Sequence, residues 1–208
     1  MPPVYVSGAV EGPSDEAVLR RVVDHAGGLI HRVQVQNGKA NLRRALPGYN
    51  AAAQWSGWVV LVDLDHDFAC PGALAADWLP NQSPFMRFRV VVREVEAWLL
   101  ADAERFAQFF GVRRAAIPTA PESLPNPKAA LVGLAATSRR TVIRADMTPR
   151  PGSGRHVGPA YTSRLIEFAN HSSQGWRPDI AATRAPSLER CLNRLRHLVG
   201  NAPHVDQP

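Results

Sequence analysis

The sequence contains few cysteines and no long apolar segment, and each absence excludes a class of protein. Its two cysteines, Cys70 and Cys191, lie far apart and have no zinc-ligand spacing, which predicts reduced thiols in a reducing compartment. No apolar run approaches the roughly 20 residues of a membrane-spanning helix. The first residues lead almost directly into an apolar run at residues 4–6, so we expect no signal peptide, a cytoplasmic location and no membrane partner.

Lysine is also scarce, because Lys39 and Lys128 are the only two lysines among 24 basic residues. The 18 acidic residues leave a formal net charge of +6, and the sequence pI is about 10.1. A basic protein of this size favours polyanionic partners such as nucleic acid. An arginine-rich composition also follows from a GC-rich genome, so charge alone leaves the partner open.

Short apolar runs alternate with stretches of helical periodicity in the first half of the chain. The order β-α-β-α-β-α-β-α is typical of an α/β layered fold with a largely parallel sheet. A helix is predicted over residues 94–110, and Pro47 is expected to disturb the second helix of the series. The apolar runs predict strands at residues 4–10, 29–36, 58–62 and 86–92.

The composition changes after Phe110. Prolines then cluster between residues 118 and 127, a Pro/Gly/Arg-rich loop covers residues 149–159, and helical stripes follow. We therefore expect an α/β core over residues 1–112, with a helical and loop-rich extension over residues 113–208 packed on it.

Carboxylates follow two of the predicted strands where each strand ends. Glu11 follows the first strand, and Asp63 and Asp65 finish the third. Open α/β sheets place their sites at the carboxyl ends of the strands, so these side chains are expected to converge, with Asp63 and Asp65 pointing the same way. Adjacent carboxylates repel one another unless a cation neutralises them. Oxygen ligands of this kind suit Mg²⁺ or Mn²⁺, which can polarise a phosphate or activate a water.

Two other motifs fail in this region. Asp63, Asp65 and Asp67 imitate the start of an EF-hand loop, but the glycine and glutamate that the loop needs are absent, so we expect Asp67 to be a solvated loop residue. Gly38-Lys39 imitates a phosphate-binding P-loop, but the earlier glycine and the following Ser or Thr are missing. Any ATP hydrolysis must therefore come from a partner.

The acidic pattern resembles the Toprim domain, which occurs in topoisomerases, bacterial primases and the overcoming-lysogenization-defect (OLD) nucleases. The resemblance lies in a strand followed by Glu11-Gly12-x-x-Asp15, and a second apolar strand that ends in Asp63-x-Asp65. The acidic residue four places after the first Glu is most similar to the OLD-type nucleases, where it helps to hold a metal.

A closer resemblance covers nearly the whole chain. It is to a Toprim-like family of small bacterial proteins that are associated with ATPase partners in defence loci. The segment from Arg93 to Asp102 is more specific to that family than the Toprim motif itself. The other matching segments are Gly38-Lys39-x-x-Leu42, Val62-Asp63-Leu64-Asp65, Pro127-Lys128 and Ser187-Leu188.

The resemblance implies a site for two ions of Mg²⁺ or Mn²⁺. Glu11 and Asp15 would bind one ion, Asp63 would share it, and Asp65 would serve the second. Glu94 and Glu96 follow the fourth strand, and either is a candidate for a further ligand, with a slight preference for Glu96.

A basic residue assists at the scissile phosphate in OLD-type nucleases. The sequence leaves this role open among Lys128, Lys39, Arg155 and His156, and we place Lys128 first as the catalytic residue. Lys39, Arg93, Arg155 and His156 are expected to contact nucleic acid.

Three functions fit the sequence. The first is a metal-dependent nuclease that hydrolyses phosphodiester bonds, in DNA rather than RNA, as part of an anti-phage defence system with an ATPase partner. The second is a non-catalytic Toprim-like module that binds an ATPase or nucleic acid. The third is a haloacid-dehalogenase-like phosphatase, which accounts for Asp63-x-Asp65 but leaves Glu11 unexplained. A homodimer is left open.

Overall fold

The computed structural model describes residues 4–202 and has an α/β fold. All strand pairs are parallel, and the strand order in the single sheet is β2-β1-β3-β4. This confirms the prediction of an α/β fold with a parallel sheet flanked by helices. The strands are β1 (Tyr5–Val10), β2 (Leu29–Val35), β3 (Gly57–Asp63) and β4 (Met86–Val91).

The position of each strand in the sheet follows from its side chains. Strand β3 lies between β1 and β4, and its residues are buried from Gly57 to Val62, as expected for a central strand covered on both faces. Strand β2 lies at an edge and is largely exposed or half-buried. Strand β4 lies at the other edge, where buried residues alternate with half-buried Arg87 and Arg89.

Three helices follow the first three strands: α1 (Pro13–His25), α2 (Lys39–Ala52) and α3 (Pro71–Trp78). Helix α1 buries an apolar stripe that includes Leu19 and Val22, whereas α2 buries Leu42 and Leu46. The expectation that Pro47 disturbs α2 is wrong in one respect, because the helix continues through Pro47 to Ala52. The proline ring is exposed, so the packed face of the helix is not interrupted.

The described chain forms two compact units, residues 4–92 with 189–202 and residues 93–188. The division falls earlier than the change in composition after Phe110, because the helix that follows β4 packs on the later helices of the second unit. Within residues 4–202, no helix has both the length and the apolar character needed to cross a membrane.

The second unit is built from short helices, and a continuous helix over residues 94–110 is not observed. Two helices replace it, and Asp102 lies between them. Two turns of 3-10 helix, Arg114–Ala116 and Pro121–Ser123, follow. The helices are α4 (Val95–Ala101), α5 (Ala103–Phe110), α6 (Pro127–Ala136), α7 (Thr141–Met147), α8 (Tyr161–Asn170), α9 (Pro178–Ala182) and α10 (Pro186–Asn201), which continues into the first unit.

Asp102 explains the break between α4 and α5. Its Oδ1 accepts the backbone N–H of Arg105 (3.2 Å) and so caps the start of α5. The same carboxylate accepts the Nε and Nη2 of Arg177 at 2.9 and 2.8 Å and the backbone N–H of Arg177 at 3.1 Å. Asp102 is fully buried, so these contacts replace the stabilisation that water would give its charge.

The two cysteines differ in accessibility, which predicts different reactivity. Cys70 is exposed, whereas Cys191 in α10 is fully buried. Burial raises the pKa of the Cys191 thiol to about 11, although nearby Arg89 opposes the shift. At about pH 8 only about 0.1 % of such a thiol is ionised. We expect one thiol to react with Ellman's reagent in the native protein and a second only after unfolding. A Cys70→Ser variant should lose the fast reaction, and two fast thiols in the wild type would contradict the burial of Cys191.

Candidate functional site

Glu11 and Asp63 lie together at the point where the sheet changes its winding direction. The chain goes from β1 outward to β2 and then crosses back to β3 on the other side of β1. Glu11 directly follows β1, and Asp63 is the last residue of β3. The backbone N–H of Asp63 donates to Glu11 Oε1 at 3.3 Å. Ligands of open α/β sheets bind in the crevice at this point, so these two carboxylates define the candidate site.

Asp65 reaches the site from a turn and not from the strand. Strand β3 ends at Asp63, and Leu64 is buried with its N–H bonded to Val91 O at 2.9 Å. Asp65 then has a left-handed backbone, with φ of 50°. The strand alternation that predicted a common direction for Asp63 and Asp65 therefore does not extend to Asp65. Such a conformation is rare and strained for a residue other than glycine, and it is found most often at functional sites.

Lys39 supplies a positive charge to the acidic group. Its Nζ lies 2.8 Å from Asp65 Oδ2 and 2.8 Å from Asp67 Oδ2, and it also donates to Leu64 O at 3.4 Å. Lys39 begins α2 after a turn in which Asn37 and Gly38 have positive φ. The sequence predicted a nucleic-acid contact for Lys39 and a solvated position for Asp67. The Asp67 side chain is 55 % exposed, as predicted, and the structure adds an ion pair between it and Lys39. The Asp63-x-Asp65-x-Asp67 spacing was the signal that Asp67 lies near the other two carboxylates.

The charges of these side chains shift the pKa values of Glu11 and Lys39. Burial raises the pKa of Glu11, while the Lys39 charge and the Asp63 N–H oppose this and the charges of Asp65 and Asp67 add to it. Burial by itself lowers the pKa of Lys39, but its hydrogen bonds to Asp65 and Asp67 outweigh that, so the pKa is raised overall. Lys39 therefore stays charged at neutral pH. One ammonium cannot neutralise all of the surrounding carboxylates when they are ionised, so the group then carries a net negative charge.

The donor set fits a hard divalent cation in its chemistry, because every candidate ligand is a carboxylate oxygen. The ligands are not preassembled around a vacant centre. Within residues 4–202, no group of three or more His, Cys, Asp or Glu side chains is arranged to hold a metal. Lys39 Nζ bridges Asp65 and Asp67. Binding of an ion by Asp65 would therefore require the ammonium to move.

Asp15 has a structural contact that the sequence did not predict. It occupies the third position of α1, where its Oδ2 accepts the backbone N–H of Gly12 at 2.8 Å. This contact satisfies a donor at the helix N-terminus, where a negative charge is also favourable. Asp15 therefore has a capping role at the start of α1, and its expected metal-binding role stays a prediction.

A second cluster lies within the second unit and contains both candidate glutamates. Lys128 Nζ is 3.2 Å from Glu94 Oε1 and 3.7 Å from Glu96 Oε1. The Lys128 backbone N–H donates to Glu94 Oε2 at 2.9 Å. The Tyr161 hydroxyl donates to Glu96 Oε1 at 2.8 Å. Sequence reasoning missed Tyr161, because no local motif marks a residue so distant in the chain.

Glu96 is the unusual member of this cluster. Its side chain is 2 % exposed, and its Oε2 has no hydrogen-bond partner among the described residues. Burial raises the pKa of Glu96, Lys128 lowers it, and Glu94 raises it. A buried carboxylate oxygen without a partner is costly, so the geometry favours Glu96 over Glu94 as the group with an oxygen left to bind a ligand.

The remaining basic candidates lie elsewhere in the second unit. Arg93 has a left-handed backbone, with φ of 63°, as the second residue after β4 ends. Arg155 and His156 are exposed in the loop between α7 and α8. Arg150, Ser153 and Arg155 line a cleft of about 250 Å³ in that loop. The loop is therefore accessible to a large anion.

The fold and the acidic group define an α/β protein with a carboxylate site at the switch point of a parallel sheet. Comparison of the chain with protein-family models, with curated proteins and with solved structures finds no match. The function must therefore be argued from the site itself.

Proposed function

We propose that the protein is a cytoplasmic nuclease that uses Mg²⁺ or Mn²⁺ to hydrolyse phosphodiester bonds in nucleic acid, in DNA rather than RNA. In this proposal the sheet is a Toprim-like core, the C-terminal half of the chain is its helical extension, and the protein acts with an ATPase partner in anti-phage defence. The observation that carries the proposal is the meeting of Glu11 and Asp63 at the switch point of the sheet.

The position of the carboxylates supports metal binding at this edge. The ends of the two central strands, β1 and β3, hold the backbones of Glu11 and Asp63 in place, and Lys39 would have to release Asp65 before that carboxylate could bind an ion. The ion pairs of Lys39 with Asp65 and Asp67 support a preference for positive charge at this edge. The net charge of +6 favours a polyanionic substrate despite the acidic site.

Each residue has a role in the proposed reaction. Glu11, Asp63 and Asp65 would hold the ions, with Asp15 as a further ligand from the same unit. Divalent ions bound there would neutralise the scissile phosphate and lower the pKa of an attacking water. Lys39, once released from Asp65, would donate to a phosphate oxygen. Lys128 would do the same from its place beside Glu94 and Glu96.

The remaining basic residues would position the substrate. Arg93, Arg155 and His156 would contact the phosphate backbone, and such contacts fix the register of the nucleic acid without reading its sequence. Because these contacts are electrostatic, binding should weaken as salt concentration rises.

The test is cleavage of plasmid, linear duplex DNA, single-stranded DNA and structured RNA in Mg²⁺, Mn²⁺ or EDTA. We expect cleavage that needs the metal and is strongest on DNA. A Glu11→Gln variant purified in parallel should lose this cleavage, which excludes a contaminating nuclease. Glu189→Gln is the matched control, because it removes the same charge from an exposed position on α10 and should cut normally.

Other outcomes distinguish the alternatives. Binding of Mn²⁺ in calorimetry that is lost in Glu11→Gln, without any cutting, would favour a non-catalytic module. Hydrolysis of p-nitrophenyl phosphate without cutting of nucleic acid would favour a phosphatase. Absence of both cleavage and Glu11-dependent Mn²⁺ binding would refute a metal site at this edge.

A further inference from the structure

A basic cleft lies at the start of β4, at the opposite end of the sheet from Glu11 and Asp63. Arg87, Arg89, Arg194 and His197 line it together with polar groups of the segment before β4, and its volume is about 400 Å³. All of these residues belong to the first unit. The cleft is large enough for a phosphate group, and none of the residues described as lining it is acidic.

The basic side chains come from strand β4 and helix α10, two from each. Arg87 and Arg89 are two residues apart on β4 and so point to the same face of the sheet. Arg194 and His197 are three residues apart on α10 and so lie on one face of that helix. Arg87 joins the two elements, because its Nε lies 3.4 Å from Arg194 O and its Nη2 lies 3.4 Å from His197 Nδ1.

Carbonyl groups, and not carboxylates, hold Arg87 in place. Its Nη1 donates to two backbone carbonyls at 2.9 and 2.7 Å. Within residues 4–202, neither Arg87, Arg89 nor Arg194 forms an ion pair with an acidic side chain, unlike Arg164 and Arg177. The Arg87 guanidinium is therefore held in place, and among the described residues no carboxylate pairs with any of the three charges.

The charges in the cleft repel one another. Burial lowers the pKa of Arg87, and the neighbouring charges of Arg194 and Arg89 lower it further. An arginine nevertheless stays protonated. The buried Nε of Arg89 also has no hydrogen-bond partner among the described residues. An anion in the cleft would relieve the repulsion between the guanidinium groups.

We propose that this cleft is a phosphate-binding site, formed by Arg87, Arg89 and Arg194. Guanidinium groups match the geometry of phosphate oxygens and bind them with paired, charge-assisted hydrogen bonds. The phosphate belongs either to the backbone of a nucleic acid or to a free phosphorylated molecule. The site does not require a metal ion at the other end of the sheet, so it can be tested independently of the nuclease proposal.

The first arm of the test is calorimetric titration of the full chain with inorganic phosphate at low ionic strength. Arg194→Gln should weaken binding about tenfold, the loss expected for about one charge-assisted hydrogen bond. Arg194 is exposed, so the variant should fold. Arg196→Gln is the matched control, because it removes the same charge from an exposed position on the same helix that does not line the cleft.

The second arm uses a short DNA duplex in EDTA, which prevents metal-dependent cutting. Weaker binding of both phosphate and DNA by Arg194→Gln than by Arg196→Gln, or of DNA alone, would identify a backbone phosphate as the ligand. Weaker binding of inorganic phosphate alone would identify a free phosphorylated molecule. Equal behaviour of the two variants in both titrations would overturn the proposal, because only net charge would then matter.

Discussion

Replacing Asp63 with asparagine is expected to reduce metal-dependent cleavage at least about 100-fold, which corresponds to about 2.7 kcal/mol of transition-state stabilisation. Asparagine keeps the size of the side chain, and the backbone N–H that donates to Glu11 Oε1 at 3.3 Å is unchanged. The variant removes one negative ligand from the end of β3. The ions that would neutralise the phosphate would therefore bind more weakly and be less well positioned.

The Asp63→Asn protein should remain folded, because the substitution keeps the size of the side chain at the end of the buried strand β3. The measurements are kcat/KM on the best DNA substrate, Mn²⁺ affinity by calorimetry, and the thermal midpoint in EDTA. Asp24→Asn is the control, because it makes the same substitution at a side chain that is 66 % exposed. The Asp24 carboxylate forms only a weak ion pair with Arg21, at 3.5 Å. Unchanged cleavage and unchanged Mn²⁺ affinity in Asp63→Asn would contradict the proposed site.

Replacing Asp102 with alanine is expected to lower the free energy of unfolding by about 3 kcal/mol or more. Three effects combine. The start of α5 loses its cap, Arg177 loses its buried counter-charge, and the Arg177 N–H loses its acceptor. Because native domains are stable by only about 5–15 kcal/mol, a loss of this size should be visible as a large decrease in the denaturation midpoint.

Denaturant unfolding followed by circular dichroism measures this effect. Glu104→Ala is a matched control, because Glu104 pairs with the same Arg177 Nη2 at 2.8 Å but its side chain is 49 % exposed. Solvent screens that pair, so its loss should have a far smaller effect than the loss of Asp102. Equal effects of the two variants would show that burial of Asp102 does not matter for stability.

The strands could be predicted from the sequence because burial on both faces of a parallel sheet demands continuous apolar runs. Residues 58–62 form such a run, and they lie within β3. The course of the helix after β4 was harder to predict. Its apolar residues continue through residues 94–110 without a proline or glycine, but the contact between Asp102 and Arg177 ends one helix and starts another. That contact joins residues 75 apart in the chain, so the local pattern of apolar residues does not indicate it.

Some residues of the candidate site could be predicted from the sequence, and others could not. Glu11 and Asp63 could be located from the sequence because carboxylates that directly follow buried parallel strands must reach the same edge of the sheet. The pairing of Lys39 with Asp65 and Asp67 could not be predicted from the sequence, because it depends on how α2 begins and on a left-handed turn after β3. The basic cleft was also missed, because Arg87 and Arg194 are distant in sequence and meet only when α10 returns to β4.

The sequence by itself determined the layered α/β class, the parallel sheet and the two carboxylates at its central strand ends, because these depend on local hydrophobic patterns and on the direction of each strand. The tertiary structure alone decided which charges are compensated. It paired Asp65 and Asp67 with a lysine. Among the described residues, it left Glu96 Oε2 without a hydrogen-bond partner and lined the basic cleft with three arginines and no carboxylate. Those outcomes depend on contacts between residues far apart in the chain, and electrostatic energy depends on distance in space.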